Sequence, residues 1–203
     1  MTVIVVMVKA PVPGRVKTRL CPPLAPEQAA ALALAALQDT LAAAEECTAE
    51  RRVVALDGEP GAWLPHGFEL LPQGPGALAE RMEAAFAAAG APALMIGADA
   101  PQVTAALLDA GLAALADHDA ALGPAADGGY WAIGLRRPVS GVFDGVPMSE
   151  PGTAAAQRAR LAELGLSVAE LPALRDVDTI EDVGAVAAAA PGGRFAAAVA
   201  ALG

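Results

Sequence analysis

The sequence predicts an α/β fold in which helices cover a mostly parallel sheet. The first apolar run, Val3–Val8, reads VIVVMV. It is β-branched and continuous instead of alternating, which is typical of a strand buried on both faces of a parallel sheet. Short apolar runs then alternate with longer helical segments, the order of βαβ units. Because the 203 residues contain no repeat and no linker, we expect residues 1–203 to form a single domain.

The predicted strands are short runs of apolar and β-branched residues bounded by Gly, Pro or polar turns. They are Val3–Val8, Arg52–Leu56, Phe68–Leu71, Ala93–Ile96, Ala120–Leu122, Tyr130–Leu135 and Ser167–Leu171.

The predicted helices are longer segments rich in Ala and Leu. Pro26 suits the first turn of the longest helix, and Thr179 with Asp182 matches a capping box at the start of the last one. The helices are Pro26–Cys47, Ala77–Ala89, Thr104–Ala116, Thr153–Leu164 and Thr179–Ala190.

The composition limits the kinds of molecule that the protein is expected to bind. A net charge of −10 and 3% aromatic residues argue against binding to nucleic acid polymers or anionic membranes, which attract broad basic surfaces. No apolar run reaches the roughly 18–20 residues of a membrane-spanning helix. The run Val3–Val8 has no basic segment before it and no small-residue cleavage site after it, so we expect no secretory signal. We therefore expect a cytoplasmic protein with no membrane partner, in which Cys21 and Cys47 are reduced thiols.

A basic segment, KAPVPGRVKTRL at Lys9–Leu20, follows the first predicted strand and is called the basic loop here. Because no carboxylate occurs between Met1 and Pro26, nothing nearby in sequence neutralises its charges. Gly14 permits a turn, and the basic side chains could then bind the phosphate oxygens of a small anion. The alternative is a solvated loop whose charges pair with distant carboxylates. The basic residues are Lys9, Arg15, Lys17 and Arg19.

Asp99 lies in GADAP, directly after the apolar strand Ala93–Ile96. An ionised carboxylate there must be paired, hydrogen-bonded or metal-bound. Mg²⁺ or Mn²⁺, held by carboxylates and completed by substrate phosphate oxygens, is one explanation. A cap on the helix after Pro101 is the alternative.

Two further acidic motifs follow predicted strands. In GPAADGG, Asp127 precedes two glycines and belongs either to a site or to a plain hairpin turn. In RDVDT, Asp176 or Asp178 is either a second metal ligand or a helix cap. Ligands of open α/β sheets bind at the carboxyl ends of the strands. The basic loop, GADAP and GPAADGG could therefore face one cleft.

Together, the motifs KAPVPGRVKTRL, GADAPQ, GPAADGGYWAIGL and RDVDTIEDV resemble a bacterial family of small proteins with the GT-A, or nucleotide-diphospho-sugar transferase, fold. Members are commonly labelled glycosyltransferases, some in connection with arsenosugar biosynthesis. The family is also similar to molybdopterin-type and phospholactate guanylyltransferases. Relatives often carry Ser or Cys around the Asp of GADAP, so this chain departs from them in the details of that pocket.

The resemblance implies a role for each motif. The basic loop would bind the nucleotide phosphates, and Asp99 would be the metal carboxylate, with Asp178 as a second ligand. Asp127, Gly128 and Gly129 would line the acceptor or sugar pocket, and the catalytic set would be Asp99, Lys17 and Asp127. The phosphate-binding residues would be Lys9, Gly14, Arg15, Lys17 and Arg19.

The expected function is a transferase that depends on Mg²⁺ or Mn²⁺ and moves a sugar from a nucleotide sugar to a small acceptor. In the alternative, a phosphorylated acceptor attacks the α-phosphorus of a nucleoside triphosphate and pyrophosphate departs. A third possibility is a nucleotide-binding module without turnover.

Overall fold

The computed structural model describes residues 1–202 and contains one seven-stranded sheet in the order β3-β2-β1-β4-β6-β5-β7. Strand β6 is antiparallel to both of its neighbours, and every other pairing is parallel. The predicted α/β class and mostly parallel sheet are confirmed. The strands are β1 Val3–Lys9, β2 Arg51–Asp57, β3 Glu69–Pro72, β4 Ala93–Gly97, β5 Ala120–Pro124, β6 Tyr130–Leu135 and β7 Val168–Glu170.

Six helices surround the sheet in the described part of the chain. Five of them match the predicted helices to within a few residues, and the last was not predicted. A 3-10 turn at Thr18–Leu20 ends the basic loop. No helix within residues 1–202 combines the length and hydropathy needed to cross a membrane. The helices are α1 Pro26–Glu46, α2 Leu78–Ala89, α3 Ala105–Ala114, α4 Thr153–Glu163, α5 Ile180–Ala189 and α6 Arg194–Ala200.

Strand β1 is buried on both faces, as its unbroken apolar sequence predicts. Ile4 and Val6 pack into a core on the side of α1 and α3. Val3 and Val5 pack into a second core with residues of α2 and α4. All four side chains are at most 1% exposed. The central strand therefore holds the two helical layers together.

The sheet brings several loops to one edge. From β1 the chain proceeds through β2 to β3 on one side, whereas β4 lies on the other side of β1. This reversal is a topological switch point, where a crevice forms beyond the carboxyl ends of the strands. Because β4 and β5 are both antiparallel to β6, they run in the same direction. The loops that follow β1, β4, β5 and β7 consequently meet at the same edge.

Candidate functional site

A cleft of about 690 Å³ opens at this edge and is called the main cleft here. A smaller pocket of about 370 Å³, the basic pocket, adjoins it and is lined by all four basic side chains of the basic loop. Arg19, Asp99 and Asp178 line both cavities. The structure therefore places the basic loop and the acidic motifs around one continuous site.

Three carboxylates converge in the main cleft. Asp127, Asp176 and Asp178 each offer an oxygen that lies within 4.8 Å of the other two. Asp127 comes from the β5–β6 hairpin, where its Oδ1 accepts a hydrogen bond of 2.7 Å from the Gly129 amide. Asp176 and Asp178 come from the loop after β7. The hairpin turn predicted for DGG is present, and that turn also presents Asp127 to the cleft.

The carboxylate group carries negative charge, and Lys17 and Arg19 offset the part of it on Asp178. Burial raises the pKa of the Asp176 carboxyl to about 6, and the neighbouring charges of Asp127, Asp178 and Asp99 act in the same direction. A bound cation would offset both effects. Carboxylate oxygens are the ligands that Mg²⁺ and Mn²⁺ prefer, so these residues fit a hard divalent cation. The group consists of Asp127, Asp176 and Asp178, and Asp99 lies outside it.

Asp99 is paired with Lys17. The Lys17 Nζ lies 2.5 Å from Asp99 Oδ1 and 3.8 Å from Asp178 Oδ1, and it donates a hydrogen bond of 2.5 Å to the Val177 carbonyl. The Lys17 side chain is only 10% exposed. Lys17 therefore ties the basic loop to the loops that follow β4 and β7.

The remaining basic side chains fall into two kinds. Arg19 Nη1 lies 3.1 Å from Asp178 Oδ2, so Arg19 and Lys17 pair with carboxylates distant in sequence, as the alternative interpretation of the loop proposed. Lys9 and Arg15 are exposed and form no ion pair within residues 1–202. Both line the basic pocket, where they can meet an incoming anion.

Neither Asp99 nor Asp178 caps a helix. The Thr104 hydroxyl accepts the hydrogen bond at the start of α3, from the Leu107 amide. At the start of α5, the Asp182 carboxylate accepts a bond of 2.8 Å from the Thr179 amide, as the predicted capping box requires. Both candidate metal ligands therefore direct their carboxylates to the site.

The three glycines proposed for the site lie in different surroundings. Gly129 lines the main cleft, whereas Gly14 and Gly128 line neither cavity. Gly128 has a φ of +92°, and a Cβ there would lie 2.7 Å from the Gly152 amide nitrogen. Gly128 thus allows the hairpin turn to pack closely against the start of α4. Gly14 has a φ of +74° and provides the turn within the basic loop.

The main cleft also has an apolar lining, which the sequence did not reveal. Four of the five methionines in the chain line the cleft, and they pack in the same core as Tyr130. These methionines come from β1, α2, β4 and the loop before α4, so no spacing in the sequence links them. We call them the methionine wall; they are Met7, Met82, Met95 and Met148.

Part of the chain matches a known protein family. Residues 28–150 match the model of the family described as "Uncharacterized protein conserved in bacteria (DUF2064)". No curated protein matches the chain. A protein from Desulfovibrio desulfuricans G20, provisionally named a nucleotide-diphospho-sugar transferase, is 32% identical and superposes with a TM-score of 0.81. That match covers 88% of this chain and 82% of the other.

Two more distant structures share the fold. Rv0371c from Mycobacterium tuberculosis H37Rv, in complex with manganese, is 20% identical over 91% of this chain and 96% of its own, with a TM-score of 0.54. CMP:2-keto-3-deoxy-manno-octonic acid synthetase, complexed with CTP, is 15% identical over 92% and 97%, with a TM-score of 0.57. The resemblance seen in the motifs is thereby confirmed at the level of the nucleotide-diphospho-sugar transferase fold.

Proposed function

This chain belongs to the DUF2064 family, and we propose that it is a metal-dependent transferase that moves a sugar from a nucleotide sugar to a small acceptor. The observation that carries the proposal is the convergence of Asp127, Asp176 and Asp178 beside a pocket lined by basic side chains. Similarity to the protein from D. desulfuricans supports the donor class.

The carboxylate group would hold Mg²⁺ or Mn²⁺, and the manganese complex of Rv0371c supports this assignment. Such a cation neutralises a diphosphate and thereby makes it a better leaving group. Lys9 and Arg15 bind the donor phosphates from the basic pocket through charge-assisted hydrogen bonds. Lys17 orients Asp99 and the loop that carries Asp178.

Nucleotidyl transfer is the second candidate. The four basic side chains around the basic pocket suit a triphosphate, and the CTP complex of the distant synthetase gives a precedent within the fold. The two reactions release different products, because sugar transfer yields a nucleoside diphosphate and nucleotidyl transfer yields pyrophosphate. Chromatography of the products from a positive substrate would therefore distinguish them.

A thermal denaturation screen tests the proposal. Nucleotide sugars and nucleoside triphosphates, each with and without Mn²⁺, are expected to raise the melting temperature most when both nucleotide and cation are present. If nucleotides leave the melting temperature unchanged in every combination, the transferase proposal is wrong.

The variant Asp176→Asn tests the cation site separately. It removes a charge that burial and neighbouring carboxylates disfavour, so the metal-free variant should melt at a higher temperature than the wild type. The same change should abolish the further rise caused by Mn²⁺. Glu150→Gln is the matched control, since Glu150 lines the cleft outside the carboxylate group and its loss should leave the Mn²⁺ response intact. A Mn²⁺ response that survives in Asp176→Asn would place the cation elsewhere.

A further inference from the structure

We propose that the acceptor is an uncharged molecule with an aromatic body and a hydroxyl group, and that it binds against the methionine wall of the main cleft. This inference rests on the proposed function, since it names the acceptor class for the same site. It is supported by the methionine wall and by the distribution of charged side chains between the main cleft and the basic pocket.

The methionine wall gives the cleft an apolar lining, in which Met82 and Met95 are buried and Met7 and Met148 are half-buried. The Tyr130 hydroxyl lies 4.0 Å from Met82 Sδ and 3.8 Å from Met148 Sδ, so the tyrosine packs between two thioethers. Its O–H donates to Gln157 Oε1 at 3.4 Å. Thioethers adapt their shape and make favourable contacts with aromatic rings. An aromatic acceptor could therefore make the same kind of contact with these thioethers.

The charges that line the main cleft disfavour an anionic acceptor. Among the described residues, Arg19 is its one cationic lining side chain, and Arg19 is already paired with Asp178. With no cation bound, a phosphate or carboxylate on the acceptor would therefore meet repulsion with little compensation. A bound cation would be taken up by the diphosphate of the donor. The acidic lining residues are Asp99, Asp127, Glu150, Asp176, Asp178 and Asp182.

The basic pocket has the opposite character. Lys9 and Arg15 line it without pairing to any carboxylate in the described chain, so the negative donor is directed there. The two cavities adjoin, which places acceptor and donor side by side. The residues that line both are Met7, Arg19, Asp99, Ser149 and Asp178. If the acceptor is neutral, the phosphates of the donor are the one large negative group that the two cavities have to bind.

The transfer then involves two bonds. The hydroxyl oxygen of the acceptor forms a bond to the anomeric carbon of the sugar. The bond between that carbon and the diphosphate oxygen breaks, and the nucleoside diphosphate departs with the electron pair. The hydroxyl proton passes to water. No oxidant or further reactant is needed.

Binding of 2-naphthol and 2-naphthyl phosphate tests the inference, because these probes share a ring and differ in charge. Calorimetric titration of the full chain without added cation or nucleotide should show 2-naphthol binding about tenfold more tightly than 2-naphthyl phosphate. This is the loss of affinity expected when one charged group is buried without a partner. Stronger binding of the phosphate, or no binding of either probe, would overturn the inference. Because no nucleotide is present, this outcome is independent of the nucleotide screen.

Variants of Met148 locate the probe. Met148 is half-buried in a loop, so it tolerates replacement better than the core methionines. Met148→Arg should weaken naphthol binding and raise the affinity for naphthyl phosphate, whereas Met148→Leu preserves the wall and should change neither by more than about threefold. Melting temperatures would verify that both variants fold. If a folded Met148→Arg binds both probes as the wild type does, the acceptor does not occupy the wall.

Discussion

Lys17 and Arg15 belong to the same basic loop, but their surroundings predict different roles. The Lys17 ammonium is buried and holds Asp99 and the Val177 carbonyl, whereas Arg15 is exposed at the basic pocket with no carboxylate partner in the described chain. We therefore expect Lys17 to act as a positioning residue. We expect Arg15 to contact phosphate directly.

Calorimetric titration of the mono-, di- and triphosphate of one nucleoside should separate these roles. Arg15→Ala should lower the affinity for the triphosphate by about tenfold or more, because it removes a charge-assisted contact of about 1.5–3 kcal/mol. The affinity for the monophosphate should fall less. Lys17→Ala should weaken the binding of all three forms equally. It should also lower the free energy of unfolding, because it leaves the carbonyl of the buried residue Val177 without its donor. A loss for Lys17→Ala that grows with phosphate number would instead show direct contact with the terminal phosphates.

At the scale of the elements, α6 is attached to the fold by a cap from another helix. Both oxygens of Asp39, a residue of α1, accept hydrogen bonds from α6: Oδ1 from the Arg194 amide at 2.9 Å and Oδ2 from the Phe195 amide at 2.8 Å. The Asp39 side chain is 10% exposed. Phe195 is buried next to residues of α1 and α5. The carboxylate therefore satisfies amides that the helix itself leaves free.

Asp39→Ala should destabilise the protein by about 1–2 kcal/mol, the usual cost of losing a helix cap. Urea denaturation would measure the change in the free energy of unfolding. Asp39→Asn is the control, because its amide oxygen can still accept one of the two bonds and the loss should be smaller. Equal stability of the wild type and Asp39→Ala would show that α6 is held by the packing of Phe195 alone.

The same elements show how much of the fold the sequence could predict. Seven strands and five helices were predicted because each has a local pattern, such as the capping box at Thr179 or the apolar run of β1. Helix α6 has seven residues and no cap nearby in sequence, since its cap lies 155 residues away. The antiparallel direction of β6 was also not predictable, because the apolar pattern of a strand does not reveal which way it runs in the sheet.

At the scale of the whole molecule, topology explains which parts of the site were predictable. Asp99 and Asp127 each follow a strand that runs in the same direction, so a common cleft followed from the α/β order alone. The sequence does not show which carboxylates come within 4.8 Å of one another, because that depends on the tertiary structure. Asp176 belongs to this group for that reason. The methionine wall joins four separate elements, so it appears only in the folded chain.

The charge of the whole molecule also bears on how a nucleotide reaches the site. The chain carries a net charge of −10, so it repels a nucleotide at long range although the basic pocket attracts it at short range. The screening length falls from about 30 Å in 0.01 M salt to about 8 Å in 0.15 M salt. Added salt therefore weakens the distant repulsion before it weakens contacts with Lys9 and Arg15.

The association rate constant of a fluorescent nucleotide, measured by stopped flow, should accordingly rise as salt increases from 0.01 to 0.15 M. The double variant Glu45→Gln and Glu46→Gln lowers the magnitude of the net charge from 10 to 8. Both residues are exposed at the end of α1, the helix that begins after the basic loop and runs back toward the opposite edge of the sheet. The variant should bind faster than the wild type in 0.01 M salt and equally fast in 0.15 M salt. An association rate that falls with added salt would show that the basic pocket, and not the acidic surface, dominates the field that the nucleotide meets.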